Sequence, residues 1–257
     1  MAISIKTEKE IAILREGGRR LAEVLRKVAA EVKPGVSTRA LNDLAEKLII
    51  EGGDTPSFLN YSPAGAKRPF PAALCVSVND EVVHGIPNEG GKVLKEGDIV
   101  SLDAGLKHEG LFTDCAVTVG VGKIDARARK LITVTRKALA VGIKEVCAGK
   151  TVGDIGFVIA EFVRPFGFGI VRELAGHGVG YTVHEEPLVP NFGKKGEGTV
   201  LKAGMVLAIE PMLNEGRPEV KLDPDGYTYR TRDGSRSAHF EHTIVVTKQG
   251  ADILTMA

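Results

Sequence analysis

No run of apolar residues in this chain approaches the ~18 that a membrane-spanning helix needs, and the opening MAISIKTEKE lacks the apolar core of a signal peptide. The expected address is cytoplasmic, with no membrane partner. Cysteine is scarce: Cys75, Cys115 and Cys147 are odd in number, scattered and without a C-x-x-C pair, which fits reduced thiols in a reducing compartment. Charge of one sign is missing as well. Lys and Arg total 34 against 33 Asp and Glu, a net charge of +1, so no nucleic-acid or polyanion surface is expected. The basic run Arg15, Arg19, Arg20, Arg26 and Lys27 reads as the wet face of one helix. A Pro/Ser/Gly-rich linker is also absent, which favours one packed domain over two separate ones across residues 1–257.

What the chain does contain is a repeated grammar. From Thr7 to Val32 apolar residues recur at helical spacing (Ile11, Leu14, Leu21, Leu25, Val28), then Pro34-Gly35 stops the helix. Ser37 caps a second helix that runs to about Glu51. The pattern returns with a helix from about Asp125 to Ala148-Gly149 and another from Gly153 to about Arg164. A closer echo links VLKEGDIVSLD, ending at Asp103, to VLKAGMVLAIE, ending at Glu210. Two related halves, about 1–120 and 121–257, each with two helices and several antiparallel strands, predict an α+β fold with a pseudo-twofold axis.

Acidic residues recur where apolar strands need none. In DIVSLDAGLKHEGLFTDCAVTVG, a two-residue loop at His108-Glu109 predicts Asp103 directly opposite Asp114. Like charges across a strand pair destabilise a sheet, and Ile99, Val100, Leu102, Val117 and Val119 around them deepen the penalty. A cation between the carboxylates removes it; a solvent-facing pair is the plainer alternative. His177 lies between Gly176 and Gly178, Glu210 ends the strand MVLAIE, and Glu241 lies in the strand-like HFEHTIVVT. A nucleotide-binding reading of GHGVG fails, because it is not G-x-G-x-x-G and opens no evident helix.

The ordered set Asp103, Asp114, His177, Glu210 and Glu241 resembles the metal site of type I methionine aminopeptidases, and NDEVVHGIP, GHGVG, HEEP, IEP and FEHT resemble that family's motifs across nearly the whole chain. The resemblance implies the pita-bread fold, two divalent cations per chain (Co, Mn, Fe or Zn), and removal of the initiator methionine from nascent polypeptides ahead of a small second residue. It implies that Asp103 chelates one cation, that His177 and Glu210 hold the other, and that Asp114 and Glu241 bridge both. His84 and His184 match two non-ligand histidines, for the leaving amine and the oxyanion respectively, with Glu210 also taking the water's proton. Phe70, Cys75 and Tyr227 resemble the methionine pocket, and Asn79 and Ser237 resemble positions near a monovalent cation. The chain resembles the short, monomeric form, which meets its substrates near the ribosome exit without a docking module of its own.

Departures lie around the pocket. NYSPAGAKRPFP differs from the usual approach to it, no Trp stands near Tyr227, and Val183 replaces a common aromatic. His108 (a turn residue), His239 (in place of a common glutamine) and His242 receive no role. The alternatives are an Xaa-Pro peptidase of the same fold and a non-catalytic peptide-binding relative.

Overall fold

A computed structural model describes residues 3–63 and 65–256. The first half runs α1 (Glu8–Ala30), α2 (Thr38–Glu51), β1 (Thr55–Pro56), β2 (Leu74–Val78), β3 (Glu81–Val83), β4 (Ile99–His108) and β5 (Leu111–Gly120). The second runs α3 (Ala126–Glu145), α4 (Val152–Val163), β6 (Gly169–Ile170), β7 (Gly176–Gly178), β8 (Glu185–Val189), β9 (Val206–Ile209) and β10 (Met212–Asn214). It continues through β11 (Val220–Leu222), β12 (Tyr229–Thr231), β13 (Ser237–His239), β14 (Glu241–Val246) and β15 (Ala251–Ile253).

The helices start where the sequence says they should. Thr7 caps α1 in a capping box with Glu10, Ser37 caps α2, Asp125 caps α3, and Thr151 caps α4 in a box with Asp154. The third helix stops at Glu145, short of the expected Ala148-Gly149, because Val146 turns extended at φ −64°, ψ 126°. One apolar stripe per helix is buried. Leu21, Leu25, Leu41 and Ile49 pack on Leu74, Val100, Leu102 and Leu106, while Leu131, Leu139, Ile155 and Ile159 pack on Leu207, Ile209 and Ile244. Each such side chain contributes about 1.5–3 kcal/mol when fully buried.

A nine-stranded sheet carries these two cores, in the order β1-β4-β5-β14-β9-β7-β8, with β2 on β4 and β15 on β14. The halves meet where β14 pairs with β5. Their relationship is visible bond by bond. Gly35 N donates to Leu94 O, Leu94 N to Val36 O, and Thr38 N to Lys92 O; Gly149 N donates to Leu201 O, Leu201 N to Lys150 O, and Val152 N to Thr199 O. The glycines of the echoed Lys-x-Gly turns, Gly97 and Gly204, have φ of 92° and 87°, which a side chain would resist.

The β4–β5 register differs from expectation. The turn is Glu109-Gly110, both at positive φ (45° and 91°), as a tight primed hairpin turn requires with glycine second. His108 is therefore the last residue of β4, opposite Leu111, and its Nδ1 meets Asp54 Oδ1 at 2.7 Å. Asp103 faces Ala116 and Asp114 faces Gly105. The two aspartates are diagonal neighbours on one face of the sheet, not direct partners.

Candidate metal centre and substrate pocket

Strand alternation sorts the side chains of the sheet. Leu102, Ala104, Cys115 and Ile209 go to the helix-covered cores, which turns Asp103, Asp114 and Glu210 to the opposite face. There one cavity of about 90 Å³ is lined by Asp103, Asp114, His177, Glu210 and Glu241, by His84 and His184, and by Phe70, Cys75 and Tyr227. Phe58, Tyr61 and Pro63 complete its wall. The glycines flanking His177 have a steric cause. A Cβ on Gly176 would lie 2.4 Å from Ala208 O, and one on Gly178 would lie 2.3 Å from Glu186 O, because β7 is wedged between β9 and β8.

Burial and mutual repulsion dominate the electrostatics. Burial first, then neighbouring carboxylates, pushes Asp114 and Glu241 well above the ordinary carboxylate range. Burial likewise raises Asp103 to about 6. Asp103 Oδ1 and Glu241 Oε1 are buried acceptors with no hydrogen-bond partner. His177 Nδ1 lies 2.9 Å from Gly178 O, which fixes Nε2 as the atom facing the carboxylates, 3.5 Å from Glu210 Oε1. One ligand atom each from Asp114, His177 and Glu241 falls within a 4.8 Å cluster. Orphaned oxygens, raised carboxyls and an imidazole whose other nitrogen is anchored are the donor set a divalent cation requires.

The two remaining histidines flank this cluster. Burial lowers His84 to about 4, and its backbone sits at φ 58° just after β3. The surrounding walls, reinforced by the imidazoles of His177 and His84, lower His184 to about 3, a shift that its exposure to solvent moderates. The His184 and His177 rings stand 4.4 Å apart, edge to face. Tyr61 Oη lies 2.7 Å from His184 Nδ1. Phe70 meets Tyr227 edge-on at 5.2 Å, and Val183 packs into the same apolar cluster as Phe58, Cys75 and Ile86. Burial raises the Cys75 thiol well above its usual value.

Asn79 and Ser237 lie together but away from this cavity. Ser237 N donates to Asn79 O, Asn79 Nδ2 donates to Asp98 Oδ1, and Ser237 Oγ donates to Leu213 O. Two residues escaped the sequence reading. Tyr61 stands in an irregular Pro/Gly-rich loop where no periodicity marks it. His239, assigned no role, is buried at 2% exposure with Nε2 3.4 Å from Glu210 Oε2.

Residues 12–248 match the model of metallopeptidase family M24. Over 99% of both chains the protein is 48% identical to a methionine aminopeptidase of Aquifex aeolicus, and it is 40% identical to that of Escherichia coli over all of this chain and 95% of the relative. The crystal structure of a methionine aminopeptidase from Thermotoga maritima superposes with a TM-score of 0.95 at 44% identity, with both chains fully covered. An Xaa-Pro dipeptidase from Bacillus anthracis shares the pita-bread fold at a TM-score of 0.77 and 24% identity, but this chain spans only 62% of that one. The chain belongs to metallopeptidase family M24 and, within it, to the methionine aminopeptidases.

Proposed function

We propose that the chain removes the N-terminal methionine of newly made polypeptides at a centre of two divalent cations. The observation that carries this reading is the joining of five ligand-grade side chains, two further histidines and an apolar pocket in one small cavity. Asp103 would hold one cation and His177 with Glu210 the other, with Asp114 and Glu241 available to both. Four carboxylates balance two dications, and one imidazole among them suits Co, Mn, Fe or Zn. When bound, such a pair polarises the scissile carbonyl and draws a nucleophile from water near neutral pH.

The protein's own groups complete the chemistry. Burial raises the phenol of Tyr61, so its O–H stays in place to donate to His184 Nδ1. His184 Nε2 then carries the proton and donates to the substrate carbonyl oxygen as it becomes an oxyanion. Glu210 would take the water's proton and pass it on to the departing amine, while His84, neutral at pH 7, hydrogen-bonds the scissile nitrogen and so helps that protonation. The methionine side chain lies against Phe70, Cys75 and Tyr227. A protonated, apolar Cys75 suits a thioether. The narrow space beside the carboxylates favours a small second residue. The enzyme works as a monomer in the cytoplasm, on chains near the ribosome exit. No helix among the described residues is long and apolar enough to cross a membrane.

The test is activity on Met-Ala-Ser and on Ala-Pro after chelation and readdition of single metals. Metal-dependent release of methionine is expected; cleavage of Ala-Pro with Met-Ala-Ser inert would overturn the reading.

A further inference from the structure

Two threonines clamp the two halves of the molecule reciprocally. Asp114 N donates to Thr243 Oγ1 at 2.9 Å, and that hydroxyl donates to Asp114 O at 2.7 Å. His239 N donates to Thr118 Oγ1 at 2.9 Å, and that hydroxyl donates to His239 O at 2.7 Å. Thr118 follows Asp114 by the same spacing as Thr243 follows His239. His239 therefore holds, on the second half, the place that Asp114 holds on the first. One position of the pair lies in the acid cluster as a carboxylate, and its mate is an imidazole.

The surroundings of that imidazole are unusual for a packing residue. A buried histidine normally hydrogen-bonds a carbonyl, hydroxyl or carboxylate. Neither Nδ1 nor Nε2 of His239 has such a bond among the described residues, and its register partner on β10, Met212, offers none. Nε2 lies 3.4 Å from Glu210 Oε2 without a hydrogen bond formed, while the other oxygen, Oε1, lies 3.5 Å from His177 Nε2.

We propose that His239 is a positioning residue for Glu210. A small turn of either side chain lets its Nε2–H donate to Oε2 and hold the carboxylate with Oε1 toward His177, so that these two side chains reach one cation as a pair. This rests on the metal-centre reading above. Partners that orient ligating groups in this way typically change metal affinity or activity by about 10–100-fold when removed.

The test compares wild type with His239→Gln, which keeps an N–H donor, and His239→Leu, which keeps bulk without one. Chelator competition with Mn gives stoichiometry and affinity, alongside kcat and KM for Met-Ala-Ser. Wild type should bind two ions, and His239→Gln should stay within about threefold of it. His239→Leu should keep one ion and lose about 10–100-fold in affinity for the other. Its kcat should fall while KM changes little. Equal affinities in all three proteins, or equal damage in Gln and Leu, would overturn the proposal. Wild type that binds no metal would overturn the metal centre beneath it instead. A measurement on wild type alone covers the case in which His239→Leu does not fold. The imidazole 15N spectrum of the metal-loaded enzyme should show His239 protonated at Nε2, and protonation only at Nδ1 would overturn the assignment.

Discussion

The two halves of the sheet offer the cavity different chemistry from matching positions. Asp103 interrupts the apolar run of β4, Glu210 directly follows that of β9, and both come after a Lys-x-Gly turn of the same shape. β2 lies against β4 as β7 lies against β9, and His84 follows Ser77 by the same interval as His184 follows His177. The first half thus brings two aspartates and one histidine to the cavity, and the second brings two glutamates and two histidines, with His239 beside Glu210. Backbone bonding is shared, down to the reciprocal threonines. What differs is which side chain stands on a prepared position, Ser77 against His177 or Asp114 against His239. A scaffold of this kind separates folding from chemistry. The helix-facing residues must stay apolar, while those on the opposite face are free to become ligands or acids.

The most severe way to break the comparison is to remove, from each half, the carboxylate proposed to be shared by both cations. Asp114→Ala and Glu241→Ala should each lower kcat/KM by roughly 10²-fold or more, on the scale of lost metal orientation or worse. The losses should be similar although the residues come from opposite halves. More than a few per cent residual activity in either variant would undo the shared-bridge assignment. Next in size are the paired histidines. His184→Ala should lower kcat by about 10²–10³-fold, the scale of one lost oxyanion donor, with metal content unchanged. Loss of metal in that variant would make His184 a ligand and spoil its match to His84.

A gentler test separates the carboxylates from the imidazoles by pH. The folded pKa values of His84 and His184, about 4 and 3, lie below the reference of about 6.5, so their contribution rises with pH and is complete above roughly 6.5. Asp103, Asp114 and Glu241 are raised, so the folded state holds extra protons and stability falls as pH climbs through their folded values. Above pH 6.5, where the histidine contribution is complete, the chelated protein should therefore lose Tm with rising pH, and saturating metal should flatten the slope. At pH 7.5 without metal, Asp103→Asn should raise Tm by a few degrees, about what 1 kcal/mol gives a chain of this size. An unchanged or lower Tm would mean that the first half's carboxylates do not repel.

Much of this was readable in advance for local reasons. The cap at Ser37 is a short-range signal and the other three helices start within a residue or so of where the periodicity places them, while the echo between residues 93–103 and 200–210 survives because both turns need the same glycine geometry. The β4–β5 register slipped because His-Glu and Glu-Gly are both plausible two-residue turns, and the His108–Asp54 bond that decides the matter spans distant sequence. Tyr61 was hidden for the same reason: its partner His184 belongs to the other half. His239 was overlooked although Asp114 and His239 each precede a threonine by the same interval. Matching spacing carries meaning only once the two threonines are seen to cross.

The smallest predicted effect sharpens the comparison at the helix caps. Ser37 and Thr151 are equivalent N-caps, but only Thr151 is answered by an acidic side chain, Asp154, accepting from its backbone. Replacement by alanine should cost about 1 kcal/mol at either site, and more at Thr151. Urea melts of the two single variants decide it, and a larger loss at Ser37 would reverse the ranking.

The position of β14 has a consequence in time. It lies at the centre of the sheet, between β5 and β9, yet every strand of that sheet except β15 precedes it along the chain. As the protein emerges from its own ribosome, Asp103 and Asp114 are present long before Glu241, and no neighbour yet joins β5 to β9. Non-local strand pairing of this kind is slow to form because the intervening chain must first be ordered. Metal capture by the full set of ligands is thus expected only after β14 has inserted, so an enzyme that trims unfinished chains is itself inactive while unfinished. Ribosome-bound chains arrested after residue 236 should release no methionine, whereas chains released at full length should do so once metal is supplied.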